Sequence, residues 1–327
     1  MEYRDLGRTG IQVSAVSFGT WAIGGSWGAV NQEEAIRSLS HAIDEGVTFF
    51  DTADVYGNGR AEEFLGKVTK ERKEKIAIAT KFCRQGDIHN PSTYSYESVR
   101  SFCEKSLTRL QREVIDLYQI HCPPHEILKH GDVFDVLDRL KKEGKILHYG
   151  VSVESIEEGL TAMQYPGVEV LQVIFNLFRQ KVVTDLFPVV KQKQVGILAR
   201  LPLASGLLTG KFTKDHQFER DDHRFFNQNG ESFNVGETFA GLPFEKGVEL
   251  AQDLAFIAKG RQSMASAAMR WILEYEEVSC VIPGFKNQRQ IDQNLVSLQE
   301  KIFSYEERKQ IEQLYQDKVH HLIRGSY

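Results

Sequence analysis

The chain has 327 residues, 41% hydrophobic and 26% charged, with a formal charge of -5 and an isoelectric point near 6.1. That is ample material for a core, and the mixed-sign, slightly acidic balance lacks the basic footprint of a nucleic-acid binder and the polybasic anchor of a membrane-surface protein, leaving small molecules as the expected partners. No apolar run approaches the ~20 residues of a membrane span. The N-terminus is charged from its second residue, without the apolar core of a secretory signal, and Cys83, Cys103, Cys122 and Cys280 form no C-x-x-C pair, so a cytoplasmic protein with reduced thiols is expected.

Residues 3–14 place short apolar pieces around Gly7-Arg8-Thr9-Gly10 and predict a small β-hairpin ahead of the main fold. A strand over 16–19 follows, then a Trp- and Gly-rich loop from Trp21 to Gly28, then a helix with Ile36, Leu39 and Ile43 at helical spacing. The run Val47-Thr48-Phe49-Phe50 reads as a strand buried on both faces that stops at Asp51, with a Gly57-Asn58-Gly59 turn close behind and a short helix around 62–65. Further strands are predicted at 76–82, 115–121, 146–151, 170–175, 195–201 and 279–282, with an amphipathic helix between most of them. Eight strands alternating with helices, without a composition break, predict one domain over 1–327, a closed (β/α)8 barrel of parallel strands rather than an open doubly wound sheet. Between the seventh and eighth strands, residues 203–245 form a long insertion, of the length that usually carries function.

In such a barrel the C-terminal ends of all strands meet on one face, where chemistry sits. Those ends carry Asp51 and Tyr56 after the second strand, Lys81 at the third and His121 at the fourth. Singly, each has a bland reading: a helix cap, a loop aromatic, a solvated lysine, a hydrogen-bonded imidazole. Together they make chemical sense, because an ammonium favours phenolate and so lowers a Tyr pKa, while a carboxylate holds the ammonium in place.

The motifs Phe50-Asp51-Thr52-Ala53 with Tyr56-Gly57, Thr80-Lys81, Asp116 to Pro123, and Ile282-Pro283-Gly284 occur in the order found in the aldo-keto reductase family, which this chain resembles over essentially its whole length. The resemblance implies reversible, NADP(H)-dependent reduction of aldehydes or ketones, with Asp51, Tyr56, Lys81 and His121 as the catalytic tetrad. Tyr56 would protonate the carbonyl oxygen and His121 would orient it. The resemblance also implies cofactor contacts. Ser152 and Gln172 would hold the carboxamide, and Arg200 would replace the aromatic that usually stacks on the nicotinamide. Thr20, Trp21, Pro202, Leu203, Ser205, Gly206, Leu208 and Lys211 would lie along the cofactor. Gly284, Lys286, Gln290, Gln293 and Asn294 would surround the adenosine phosphate, with Lys286 on the 2′-phosphate. No Gly-rich dinucleotide fingerprint follows a strand, in keeping with that family, and the Gly206 to Lys211 spacing is not that of a Walker loop.

Trp21, Trp27, Phe82, Cys122 and Phe178 are candidates for an apolar substrate cleft, with ordinary core packing the competing reading for each aromatic. His121-Cys122-Pro123-Pro124-His125 suggests a metal site, but no fourth ligand stands at a regular spacing, so none is expected. Two other functions stay open. One is an NADP-binding redox sensor with little turnover, as in the family's potassium-channel β subunits, against which the lack of a long N-terminal extension argues. The other is an NAD(P)-dependent polyol or inositol-type dehydrogenase, for which Arg84, Gln85, Asp87, His89 and Asn90 could supply polar contacts. A monomer is the default expectation.

Overall fold

The computed structural model describes residues 1–25 and 31–327. The predicted hairpin is present: β1 (Tyr3–Asp5) and β2 (Gln12–Ser14) pair antiparallel, with Tyr3 opposite Ser14. Eight parallel strands follow: β3 (Phe18–Gly19), β4 (Phe49–Asp51), β5 (Ala77–Phe82), β6 (Ile115–His121), β7 (Ile146–Ser152), β8 (Val168–Ile174), β9 (Gly196–Arg200) and β10 (Val278–Ile282). They neighbour one another in sequence order from β3 to β10. Parallel bridges Val16–Val281 and Gly19–Gly284 close the ring between its first and last members, giving the eight-stranded barrel that the alternation predicts.

Strand side chains alternate between the barrel interior and the surrounding helices. A small apolar cluster of Phe49, Ala77, Ala79, Leu117, Val170, Leu198 and Cys280 fills the interior, joined by Leu6 and Val13 of the hairpin. The hairpin therefore stoppers the end of the barrel where the strands begin. Most of the remaining buried apolar side chains form the larger cluster outside the ring, under helices such as Gln32–Asp44, Tyr96–Leu110 and Asp132–Lys142.

The same alternation places the chemistry. Two steps beyond Phe49 comes Asp51; Ala77 and Ala79 lead to Lys81; Leu117 leads to Gln119 and His121; Val170 leads to Gln172; Leu198 leads to Arg200. The apolar interior thus gives way to a polar layer at the strands' C-terminal ends, on the face expected to carry the site. Residues immediately after three of these strands, Cys83, Cys122 and Leu201, sit at positive φ (89°, 50° and 53°), where the chain turns abruptly out of the barrel.

The insertion at 203–245 has no long element. It consists of short helical turns, Ala204–Thr209, His223–Phe226, Val235–Glu237 and Phe239–Gly241, laid over the barrel mouth.

Candidate active site

Lys81 is the centre of the polar layer. Its Nζ donates to Asp51 Oδ1 at 2.5 Å, to the Thr52 carbonyl at 2.8 Å and to the Tyr56 hydroxyl at 3.3 Å. An ammonium has three protons, and here all three are taken. Asp51 Oδ2 accepts from Gln119 Nε2 (3.2 Å) and Gln172 Nε2 (2.7 Å), so the buried carboxylate is satisfied on both oxygens, as a buried ion requires. Gln172 therefore supports Asp51 as well as lining the cavity.

Tyr56 is fixed by its surroundings. The Trp21–Gly24 turn lies against the Tyr56–Gly57 peptide so closely that a Cβ on Gly57, which has φ +62°, would fall 2.0 Å from the Gly24 carbonyl oxygen. Only glycine fits that approach and that backbone. The Trp21 and Tyr56 rings lie 6.1 Å apart at 22°, and the His121 ring stands edge-on to Tyr56 at 5.9 Å.

Burial raises the Tyr56 pKa above its ordinary value of 10, against the pull of the Lys81 ammonium. This corrects the expectation of a lowered phenol: desolvation outweighs the neighbouring charge, and Tyr56 rests protonated. Burial also opposes the Lys81 charge, yet Asp51 and Tyr56 together carry its pKa above the usual lysine value. His121 moves the other way. Burial first, then the positive charges of Arg84, Lys81 and Arg200, hold its pKa well below 6.5, so the imidazole is neutral and has one N–H to give.

These groups open onto a cavity of about 900 Å³, of the size expected for a small-molecule site. Of the positions singled out in the sequence, it is lined by Trp21, Asp51, Tyr56, His121, Ser152, Gln172, Arg200, Pro202, Leu203, Ser205, Gly206, Lys211, Gly284, Lys286, Gln290, Gln293 and Asn294. Lys81 lies beneath its floor. Thr20 is fully buried and donates through N and Oγ1 to the Asp51 carbonyl, and Leu208 is fully buried in the core; neither reaches the cavity.

The aromatic cleft needs correction. Phe82 stacks on Tyr118 at 4.7 Å, and Phe82 and Phe178 are both wholly buried in the outer cluster, so for them the core-packing reading holds. Cys122 lies behind the cavity surface, with Sγ 3.3 Å from Ser152 Oγ and its thiol pushed up to about 11 by burial. Trp27 falls outside the described residues. Trp21 is joined at the cavity by Val55, Phe226 and Phe233.

The sequence reading missed Glu237, Arg224, Phe226 and Phe233, all from the insertion. Nothing in that aperiodic stretch marks them. Arg200 does not stand as a bare charge: its guanidinium is ion-paired with Glu237 and donates to the Val153 carbonyl at 3.1 Å. Arg84 likewise pairs with Glu154 at 3.1 Å. Of the polar residues on the loop after β5, only Arg84 lines the cavity; Gln85 bonds the Asp54 carbonyl, and Asp87 and Asn90 accept from backbone N–H groups of their own turn. Cys122, Glu154 and Glu237 bring potential ligand atoms within 4.8 Å of one another, but both carboxylates already have arginine partners and the thiol is held protonated, so the cluster is an ionic network.

A closed parallel barrel whose mouth joins a buried Lys–Asp pair to a tyrosine and a neutral histidine defines a barrel enzyme equipped for proton transfer at an oxygen. The aldo/keto reductase family model matches residues 15–316, and the chain belongs to that family. It is 33% identical over 300 residues to the aldo-keto reductase YhdN of Bacillus subtilis, covering 89% of this chain and 87% of that protein. A probable voltage-gated potassium channel subunit beta of Arabidopsis thaliana is 30% identical over 310 residues, with 90% of each chain covered. The solved glycerol dehydrogenase AKR11B4 of Gluconobacter oxydans superposes with a TM-score of 0.76 at 28% identity, over 99% of this chain and 98% of that one. Among the described residues no helix is long and apolar enough to cross a membrane.

Proposed function

We propose that this protein reduces aldehydes or ketones to alcohols with NADPH, in a cytoplasmic setting, with Tyr56 as proton donor. The observation that carries this reading is the Lys81 contact to both Asp51 and the Tyr56 hydroxyl on the cavity floor. A phenol that rests protonated gives up its proton only when the acceptor becomes strongly basic, as a carbonyl oxygen does on turning into an alkoxide. Lys81 then sits where the phenolate charge appears, so stabilisation is available at the transition state and requires no reorganisation. Neutral His121 can donate one hydrogen bond to the same oxygen and fix its position, while Asp51 and the two glutamines hold Lys81 still.

The residues around the cavity suit a nicotinamide dinucleotide, which when bound supplies the hydride. Ser152 Oγ and the Gln172 amide offer hydrogen-bonding groups near the tetrad for a carboxamide. Cationic Lys211 and Lys286 line the cavity among the segments 200–211 and 282–296 and suit phosphates. Lys286 is half-buried, and its backbone N–H is bound to Gln290 Oε1 at 2.6 Å, which orders the turn that presents its side chain. The test is NADPH consumption with a panel of aldehydes alongside NADPH binding by fluorescence quenching. Steady turnover of several aldehydes is the expected result; tight binding without turnover of any carbonyl or polyol would replace it with the sensor reading that the channel-subunit relative suggests.

A further inference from the structure

We propose that residues 324–327 form a strap that holds the insertion closed over the cavity, with Arg324 as a positioning residue that keeps Phe233 and Glu237 in the cavity wall. The Arg324 guanidinium donates through Nε to the Gly241 carbonyl at 2.9 Å, through Nη1 to Asn229 Oδ1 at 2.9 Å, and through Nη2 to the carbonyls of Gln228 and Leu242 at 2.9 and 3.2 Å. Its backbone N–H adds a bond to the Gly241 carbonyl at 3.1 Å. Residues 228–229 and 241–242 bracket the stretch that brings Phe233 and Glu237 to the cavity. One side chain therefore ties the two ends of that stretch together, and closing a loop at its ends removes conformations it would otherwise sample.

The strap is itself tied to the barrel, at the loop that follows β8. Arg179 Nη2 donates to the Ser326 carbonyl at 3.1 Å, and Lys181 Nζ donates to the Tyr327 carbonyl at 3.1 Å. The Tyr327 hydroxyl accepts from the backbone N–H groups of Gln180 and Lys181 at 3.0 and 3.2 Å and pairs with the Tyr315 hydroxyl. Its ring centroid lies 4.3 Å from the buried Arg179 guanidinium. Two glycines permit the close approach of strap and insertion. A Cβ on Gly241, at φ +85°, would fall 2.7 Å from the Arg324 carbonyl oxygen, and one on Gly325, at φ +81°, would fall 2.7 Å from Val235 Cγ1. Between these ties the insertion consists of helical turns of three to six residues, too short to hold their shape on their own hydrogen bonds. None of residues 324–327 lines the cavity, so the strap acts on the site through the insertion and not by touching a bound molecule.

Hydrogen exchange read by mass spectrometry on the whole chain tests this without needing turnover. In Arg324→Ala the amides of 228–242 should exchange about 10- to 100-fold faster, the usual worth of a hydrogen bond to a charged group, while the barrel strands exchange as in wild type. Arg324→Lys, which keeps a charged donor, should fall between the two. Tyr327→Phe keeps the ring on Arg179 and loses only the hydroxyl; it should loosen the same segment by less, and it carries the test if Arg324→Ala does not fold. In aldehyde reduction with saturating NADPH, Arg324→Ala should raise KM for the aldehyde by about 10-fold and leave kcat within about twofold of wild type, because the tetrad is untouched while the wall is loosened. Unchanged exchange at 228–242 overturns the strap, as does faster exchange spread equally over the barrel strands. A fall in kcat with KM unchanged overturns the positioning role. Exchange is read whether or not the chain turns over a carbonyl, so the strap and the reductase reading fail separately.

Discussion

Lys81 Nζ and Asp51 Oδ1 lie 2.5 Å apart with neither side chain open to solvent. Removing one partner of such a buried pair strands the other's charge, at a typical cost of about 3–5 kcal/mol, whereas replacing both with apolar groups of similar volume is often close to neutral. Lys81→Met should therefore be strongly destabilised in urea unfolding, and Lys81→Met/Asp51→Leu should regain much of the loss while remaining inactive. Equal stability of the single and double variants would show that the pair is not energetically coupled.

Tyr56→Phe removes one hydroxyl and nothing that the glycine contact at Gly57 depends on. NADPH binding and thermal stability should stay close to wild type, while carbonyl reduction falls by the ~10²–10⁴ typical of losing a positioned acid. Wild-type turnover in this variant would move the proton donor elsewhere.

How much of this was legible beforehand follows from periodicity. The eight strands and the placement of Asp51, Lys81 and His121 at the barrel mouth were readable because the strands are short and apolar, with polar residues at or near the C-terminal ends of several, and because period-2 alternation carries Ala77–Ala79–Lys81 and Leu117–Gln119–His121 from apolar interior to polar mouth. Phe82 was misplaced for the same reason: it is one step out of phase with Lys81 and so faces the helices, stacking on Tyr118. Glu237 and Phe233 could not be read, because an aperiodic insertion folds by its contacts with the barrel mouth. The resting state of Tyr56 was misjudged by weighing the neighbouring charge without the desolvation that only a three-dimensional burial reveals.

The titrations give a pH profile with a definite sign. Tyr56 is raised above 10 and His121 lies well below 6.5, so the proton-carrying phenol and the neutral imidazole coexist throughout the neutral range. With NADPH saturating, kcat/KM for reduction should be flat from pH 6.5 to 9, declining only as the phenol ionises at higher pH; oxidation of the product alcohol, which needs the phenolate, should rise with pH instead. A reduction rate that halves between pH 6.5 and 8 would contradict these assignments.

Lys286→Ala should weaken NADPH binding by about 10- to 100-fold, the worth of a charge-assisted hydrogen bond to phosphate, and leave NADH nearly unchanged. Parallel fluorescence titrations with the two nucleotides check this. Equal losses would place Lys286 on the shared part of the cofactor.

Asp54, whose side chain takes no part in the proposed chemistry, offers a stability test. It is fully buried, and neither carboxylate oxygen has a hydrogen-bond partner among the described residues. Burial, reinforced by the Glu62 charge, pushes its pKa up to about 7 from 3.8. A carboxyl whose folded pKa is raised binds more protons in the folded chain than in the unfolded one between those two values, so stability is lost as pH rises from about 4 to 7. Asp54→Asn is neutral at every pH and escapes that loss. In urea unfolding it should be more stable than wild type at pH 8, by an amount on the order of 2–4 kcal/mol, with the difference vanishing near pH 4. A variant less stable than wild type at pH 8 would mean that the ionised Asp54 carboxylate has a partner holding it in place.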